Sequence, residues 1–131
     1  MAKAAKSKQL TFSLPNKIGL LADVATALAA AEVNIQAICA YERGYGFFMM
    51  VADNHAKAKK VISKMGGNIH VEDVILLELP NKVGQLEKVT KKIAEAGINI
   101  LFVYGSSGKG KTATVVLKTV NDRKALKLIV K

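Results

Sequence analysis

Leu14-Pro15-Asn16-Lys17-Ile18-Gly19-Leu20-Leu21 returns later in the chain as Leu79-Pro80-Asn81-Lys82-Val83-Gly84-Gln85-Leu86. At the same spacing after each copy stands a second asparagine in a matching frame, Val33-Asn34-Ile35 and Ile98-Asn99-Ile100. The repeat exchanges Leu, Ile and Val freely, as core packing allows. It exchanges nothing at Asn16/Asn81, Gly19/Gly84 or Asn34/Asn99. Polar residues and glycines kept across an internal duplication call for a reason beyond packing.

Working outward from the first copy, Leu10, Phe12 and Leu14 alternate with Thr11 and Ser13, the pattern of a half-buried strand. Leu21, Val24, Ala25 and Leu28 then follow helical spacing. A second strand opens at Val33-Asn34 and runs to about Tyr41. Arg43-Gly44-Tyr45-Gly46 reads as a hairpin turn before a third strand, Phe47 to Ala52. Asp53-Asn54 can cap a helix whose apolar face is Ala58, Val61, Ile62 and Met65. Gly66-Gly67 stops it, and Ile69 to Glu72 is a fourth strand. The order is β-α-β-β-α-β.

The second copy repeats this order. A strand spans Val74–Leu79, a helix about Gly84–Ala96, a strand Ile98–Gly105, a strand Thr112–Lys118, and a helix starts near Asn121. The core helix spacing Leu21/Val24/Leu28 recurs as Leu86/Val89/Ile93. The sequence then reaches Lys131 without a counterpart of the fourth strand, Leu128-Ile129-Val130 being read as the last helical turn. The expected fold is therefore α+β: two tandem ferredoxin-like sandwiches with antiparallel sheets side by side, helices on one face, and the second unit lacking its last strand. The expected domains are 9–73 and 74–131, preceded by a basic flexible tail at 1–8.

Alternation puts Leu10, Phe12 and Leu14 on the helix-facing side, with Ile75, Leu77 and Leu79 as their repeats. Phe48, Met50 and Ala52 match Ala113, Val115 and Leu117 on that same side. Tyr45, Phe47, Met49, Val51, Val103 and Val116 fall on the opposite face, apolar enough to need covering.

The chain has 131 residues, and half of them are hydrophobic, enough for a core in each small unit. Its formal net charge is +10. Lys57, Lys59, Lys60 and Lys64, then Lys88, Lys91 and Lys92, sit on helical faces and read first as solvated surface. The single cysteine, Cys39, excludes an intrachain disulfide and reads as a buried thiol in a reducing compartment. The N-terminal residues lack the apolar core of a signal peptide, and Asp23 and Glu32 interrupt the longest apolar stretch. A cytoplasmic protein that meets no membrane is expected.

Two motifs invite other functions. Gly105-Ser106-Ser107-Gly108-Lys109-Gly110-Lys111-Thr112 fits the phosphate-loop pattern letter for letter. That loop works only when a helix follows at once, and Thr112-Ala113-Thr114-Val115-Val116-Leu117 reads as a strand. Arg43-Gly44-Tyr45-Gly46-Phe47 matches the start of an RNA-recognition octapeptide on the appropriate strand. The match fails at Phe48 and Met50, Phe12 points into the core, and Gly110 and Thr112 replace the two aromatics in the second unit. Single-stranded RNA binding through Arg43, Tyr45 and Phe47 stays as an alternative, as does a pure oligomerisation module.

The repeated loop has chemistry of its own. Strand, Pro-Asn-Lys-x-Gly, helix leaves backbone N–H groups free at a helix N-terminus, suited to a carboxylate. Gly lets a ligand approach the backbone, and Asn can both donate and accept. The second Asn lies past the far end of the helix, about 18 Å away for twelve residues, so it cannot serve its own loop. It could serve the loop of an antiparallel neighbour, pairing Asn16 with Asn99 and Asn81 with Asn34. No nucleophile–base pair, metal cluster or acid pair points to catalysis or a cofactor.

Asn16-Lys17-Ile18-Gly19-Leu20-Leu21 with Ala31-Glu32-Val33-Asn34-Ile35, and Asn81-Lys82-Val83-Gly84-Gln85-Leu86 with Glu95-Ala96-Gly97-Ile98-Asn99-Ile100, resemble the ACT domain. The match is to stand-alone proteins made of two tandem ACT domains. The resemblance implies a non-enzymatic regulatory protein that binds a small amino acid between its two domains. It implies ligand contacts from Asn16, Lys17, Ile18, Gly19, Leu20 and Asn34, and from Asn81, Lys82, Val83, Gly84, Gln85 and Asn99. It also implies a homodimer or higher oligomer, and a metabolic enzyme as a further partner; nucleic acid is not expected. Ile18 and Val83 stand where the family loop carries Pro, and Glu32 where it carries Gly.

Overall fold

The structure is a computed structural model and describes residues 3–107 and 110–129. In chain order its elements are β1 (Lys3–Pro15), α1 (Leu20–Ala30), β2 (Ile35–Arg43), β3 (Tyr45–Ala52) and α2 (His55–Lys64). Then come β4 (Asn68–Pro80), α3 (Gln85–Glu95), β5 (Ile100–Ser107), β6 (Thr112–Thr119) and α4 (Asp122–Ile129). The chain divides into two compact units, Lys8–Glu72 and Met1–Ser7 together with Asp73–Lys131.

The first unit uses β1 from Lys8 onward and β4 up to Glu72, in the strand order β2-β3-β1-β4. Leu10 pairs with Met50 and Leu14 with Gly46 across antiparallel strands. Leu10, Phe12 and Leu14 join Val24, Leu28, Met50 and Ile62 in its core, as alternation and helical spacing require. Phe12 stacks on Phe48 inside that core, with ring centroids 4.7 Å apart. Asn54 caps α2 by accepting the Lys57 N–H at 3.1 Å.

The second unit repeats the arrangement as β5-β6-β4-β1. Ile75, Leu77, Ile93, Leu117 and Ile129 form its core, and α4 carries the chain through Ile129 as helix. Its fourth strand is present but comes from the start of the sequence. Lys3 to Ser7, expected as a flexible tail, open β1, and Ala4 packs on the second core. Lys3 and Lys6 mask the alternation there, yet a bare β4 edge would leave backbone donors and acceptors unpaired. Likewise the expected strands Ile69–Glu72 and Val74–Leu79 are one strand, β4, which passes from one unit into the other.

The two hairpins differ in a way that alters the expected matching. Leu14 pairs with Gly46, but its repeat Leu79 pairs with Ala113. The structural counterparts of Gly46, Phe48 and Met50 are therefore Ala113, Val115 and Leu117, two residues later than the sequence alignment gave. The second hairpin tip is longer by two. A shift of two keeps every side chain on its face, so the core-facing set survives. Val103 does not keep its expected side. It pairs with core residue Leu117, because a bulge between Ile100 and Phe102 turns β5 over. The same irregularity recurs in β2 between Ile35 and Ala37.

Both first helices end alike. The Val33 N–H donates to Leu28 O at 2.9 Å, and the Ile98 N–H to Ile93 O at 3.2 Å. Each closes a left-handed turn whose apolar residue packs back on the helix. Gly97 makes that turn at φ 71°, and Glu32 makes it at φ 60°, the one positive-φ non-glycine residue among those described.

Candidate functional site

Each Pro-Asn-Lys-x-Gly loop borders a cleft within its own unit. In the first, Asn16, Lys17, Gly19 and the start of α1 face Ala40 and Glu42 of β2 and Phe48 of β3, enclosing about 330 Å³. In the second, Asn81, Lys82 and the start of α3 face Val103 and Gly105 of β5 and Val115 of β6, enclosing about 390 Å³. Loop, helix start and edge strand meet in the same way twice. Both volumes lie in the range of small-molecule sites.

The kept glycines have a backbone reason. Gly19 and Gly84 sit immediately before their helices at φ 87° and 85°, where an L side chain is strained. Neither helix start receives a side-chain cap. The Asp23 N–H already reaches Gly19 O, and the Lys88 N–H reaches Gly84 O. Among the described residues no partner is seen for the N–H groups of Leu21 and Ala22, or of Leu86 and Glu87. These groups and the helix dipole supply partial positive charge at each cleft. Ile18 and Val83, fully exposed at 104% and 103%, stand beside them.

The paired residues differ in their duties. Asn81 Nδ2 donates to Gly110 O at 3.1 Å, and its own N–H donates to Lys111 O, so it ties the loop to the longer hairpin. Asn16 makes no such bond among the described residues. Lys17 Nζ instead lies 3.1 Å from Asp23 Oδ2, both side chains being more than half exposed. Leu20 is buried and packs into the space above Gly46, while its counterpart Gln85 brings an amide to the second cleft. Sequence reasoning missed Glu42, Val103 and Gly105 as cleft walls. Strand pairing places them, and only a correct hairpin register could have found them.

Asn34 and Asn99 are exposed and line neither cleft. Asn34 exchanges bonds with Asp53 at the strand entrance: its N–H donates to Asp53 Oδ1, and its carbonyl accepts the Asp53 N–H. Asn99 O accepts the Val120 N–H. Both backbones hold the neighbouring strand while the amide side chains face outward.

The alternative motifs resolve differently. Gly105–Ser107 end β5 and Thr112 opens β6, so no helix follows the phosphate-loop pattern; residues 108 and 109 lie outside the described residues. Tyr41 stacks on Phe47 at 5.4 Å and Tyr45 is half exposed, on the face away from the core. Their β6 counterparts, by the corrected register, are threonines Thr112 and Thr114, so the stacking platform is not duplicated. Cys39 is half-buried rather than buried. Val51 and Val116 on the opposite face are fully buried, whereas Tyr45 is not. Among the described residues, no group of His, Cys, Asp and Glu could hold a metal ion. No helix is long and apolar enough to cross a membrane.

The family described as an ACT domain pair matches residues 6–131. No curated protein gives a significant match. The structure of protein BT0572 from Bacteroides thetaiotaomicron is 28% identical, with TM-score 0.87 over 97% of this chain and 88% of that one. The regulatory subunit of aspartate kinase from Thermus thermophilus, solved ligand-free, is 15% identical with TM-score 0.73, covering 98% and 94%. Aspartate kinase from Clostridium acetobutylicum, described as an allosteric enzyme, is 16% identical with TM-score 0.65, covering 98% of this chain and 33% of that one. At such identities the kinase structures share the fold.

Proposed function

Because the chain belongs to the ACT domain pair family, we propose that it is a non-enzymatic regulatory protein whose loop clefts bind a small amino acid. The observation that carries this reading is the duplicated cleft around an uncapped helix start. The ligand carboxylate would accept from the N–H groups of Leu21 and Ala22, or of Leu86 and Glu87. A left-handed glycine leaves the approach open: a Cβ at Gly19 would meet nothing within 4 Å. Asn16, Lys17, Ile18, Gly19 and Leu20 form one half-site; Asn81, Lys82, Val83, Gly84 and Gln85 form the other. Asn34 and Asn99 are proposed as ligand contacts supplied from outside their own unit's cleft.

The second cleft is the larger, and Gln85 adds an amide to it where the first has Leu20. Regulation would pass to a cytoplasmic metabolic enzyme or to a homo-oligomer through altered packing around the exposed Ile18 and Val83. The likeness to regulatory subunits of aspartate kinase supports this class of role. A thermal-shift screen of the twenty amino acids tests it: one or a few should stabilise the chain by mass action. Asn16→Ala and Asn99→Ala should each weaken the effect, and not additively. A screen without a hit at millimolar ligand defeats the reading.

A further inference from the structure

At the other end of the second unit lies a cavity larger than either loop cleft, about 530 Å³. It opens where β6 ends and α4 begins, beside Asp73 and Ile75 of β4 and Lys6 of β1. Ile75 is five residues from Pro80 along β4, so the loop cleft is about 17 Å away. Its wall holds four cations, Lys6, Lys118, Arg123 and Lys127, against two carboxylates, Asp73 and Asp122.

Both carboxylates are already engaged. Asp122 Oδ1 accepts from the Thr119 N–H and hydroxyl, each at 2.8 Å, while Oδ2 lies 3.2 Å from Lys118 Nζ. Lys118 also donates to Asp73 O at 2.7 Å, and Lys6 lies 3.7 Å from Asp73 Oδ2. The Lys118 and Asp122 side chains are only 23% and 16% exposed, so this is a built wall and not a solvated fringe. Arg123 and Lys127, one helical turn apart on α4, have no carboxylate partner among the described residues. Ile75, Val120 and Leu126 supply an apolar floor and rim.

We propose that this cavity binds a small organic anion, a phosphate monoester or carboxylate attached to a short apolar group. Arg123 and Lys127 hold the anionic head, Arg123 through its planar fork. Lys118 is held in place by Asp122 and Asp73 and adds positive field from below. The apolar group lies on Ile75 and Leu126. The site shares no residue with the loop clefts, so it serves a second ligand independent of the amino acid.

Calorimetry on the full chain with phenyl phosphate, benzoate and neutral benzyl alcohol tests the proposal. One or both anions should bind saturably, weakening as salt is raised, and benzyl alcohol should not. Tighter binding of phenyl phosphate than of benzoate assigns the head as phosphate; the reverse assigns it as carboxylate. The exposed-site variant Arg123→Gln/Lys127→Gln should lose about tenfold or more in affinity, equal to about 1.4 kcal/mol. Asn81→Ala should leave this affinity unchanged. No saturable anion binding, equal binding of benzyl alcohol, or undiminished affinity in the double variant overturns it.

Discussion

Replacing Glu32 by Gly should stabilise the protein, although it removes a side chain and adds no contact. Glu32 ends α1 at φ 60°, where an L residue is disfavoured by about 1–2 kcal/mol. Glycine would relieve that strain but loses more chain entropy on folding, about 0.4–1 kcal/mol. The net gain is about 0.5–1 kcal/mol, or about 2–6 °C in the melting temperature for a chain this size. The repeat supplies the reciprocal. Gly97 holds the same place at φ 71°, and a Cβ there would meet nothing within 4 Å. Gly97→Ala should therefore cost about 1 kcal/mol from backbone strain alone, with no clash to confuse the result. Glu32→Ala separates charge from backbone, since it keeps the strained φ and should change little. Urea unfolding of the three variants gives the free energies. If Glu32→Gly is no more stable than Glu32→Ala, or Gly97→Ala is neutral, the left-handed turn does not carry the energy assigned to it.

Deleting residues 1–7 should destabilise the second unit, because Lys3–Ser7 form its fourth strand; hydrogen exchange should rise in β4 from Asp73 onward, and unchanged protection would refute the strand's role. Ile62→Ala, at a fully buried core position, should cost about 2–5 kcal/mol in urea unfolding. Asn81→Ala should cost about 0.5–1.5 kcal/mol by releasing Gly110 O, while Asn16→Ala should leave stability nearly unchanged; comparing the two melts checks the asymmetry. Gly105→Ala should destabilise by about 1–3 kcal/mol, since its Cβ would lie 2.6 Å from Thr114 O, and a neutral melt would contradict the close strand approach.

Periodicity disclosed the element order through Leu10/Phe12/Leu14 and Leu21/Val24/Leu28, but the face that α1 buries is Leu20, Val24 and Leu28, and Leu21, like its repeat Leu86, is about half exposed. It also placed the loops, since both glycines must turn left-handed before a helix. What escaped it depended on pairing. The strand character of Lys3–Ser7 is invisible until β4 needs a neighbour. The two extra residues in the second hairpin appear only in the register of Leu79 with Ala113. The bulge after Ile100 moved Val103 to the other face. The cleft walls Glu42 and Val103 followed from these same pairings, and the cation wall at Arg123 from packing of α4. Asn81 is tied to the longer hairpin in the second unit, and among the described residues Asn16 has no matching tie in the first.

The most direct measurement follows the backbone amides of the full chain by nuclear magnetic resonance while the amino acid that gives the largest thermal shift is added. Saturating shifts should concentrate at Leu21 and Ala22, at Leu86 and Glu87, and at the left-handed glycines Gly19 and Gly84. Asn34 and Asn99 should move with them on the same binding curve. If no amide there responds at millimolar amino acid, or the changes gather only around Arg123 and Lys127, the loop clefts are not amino-acid sites.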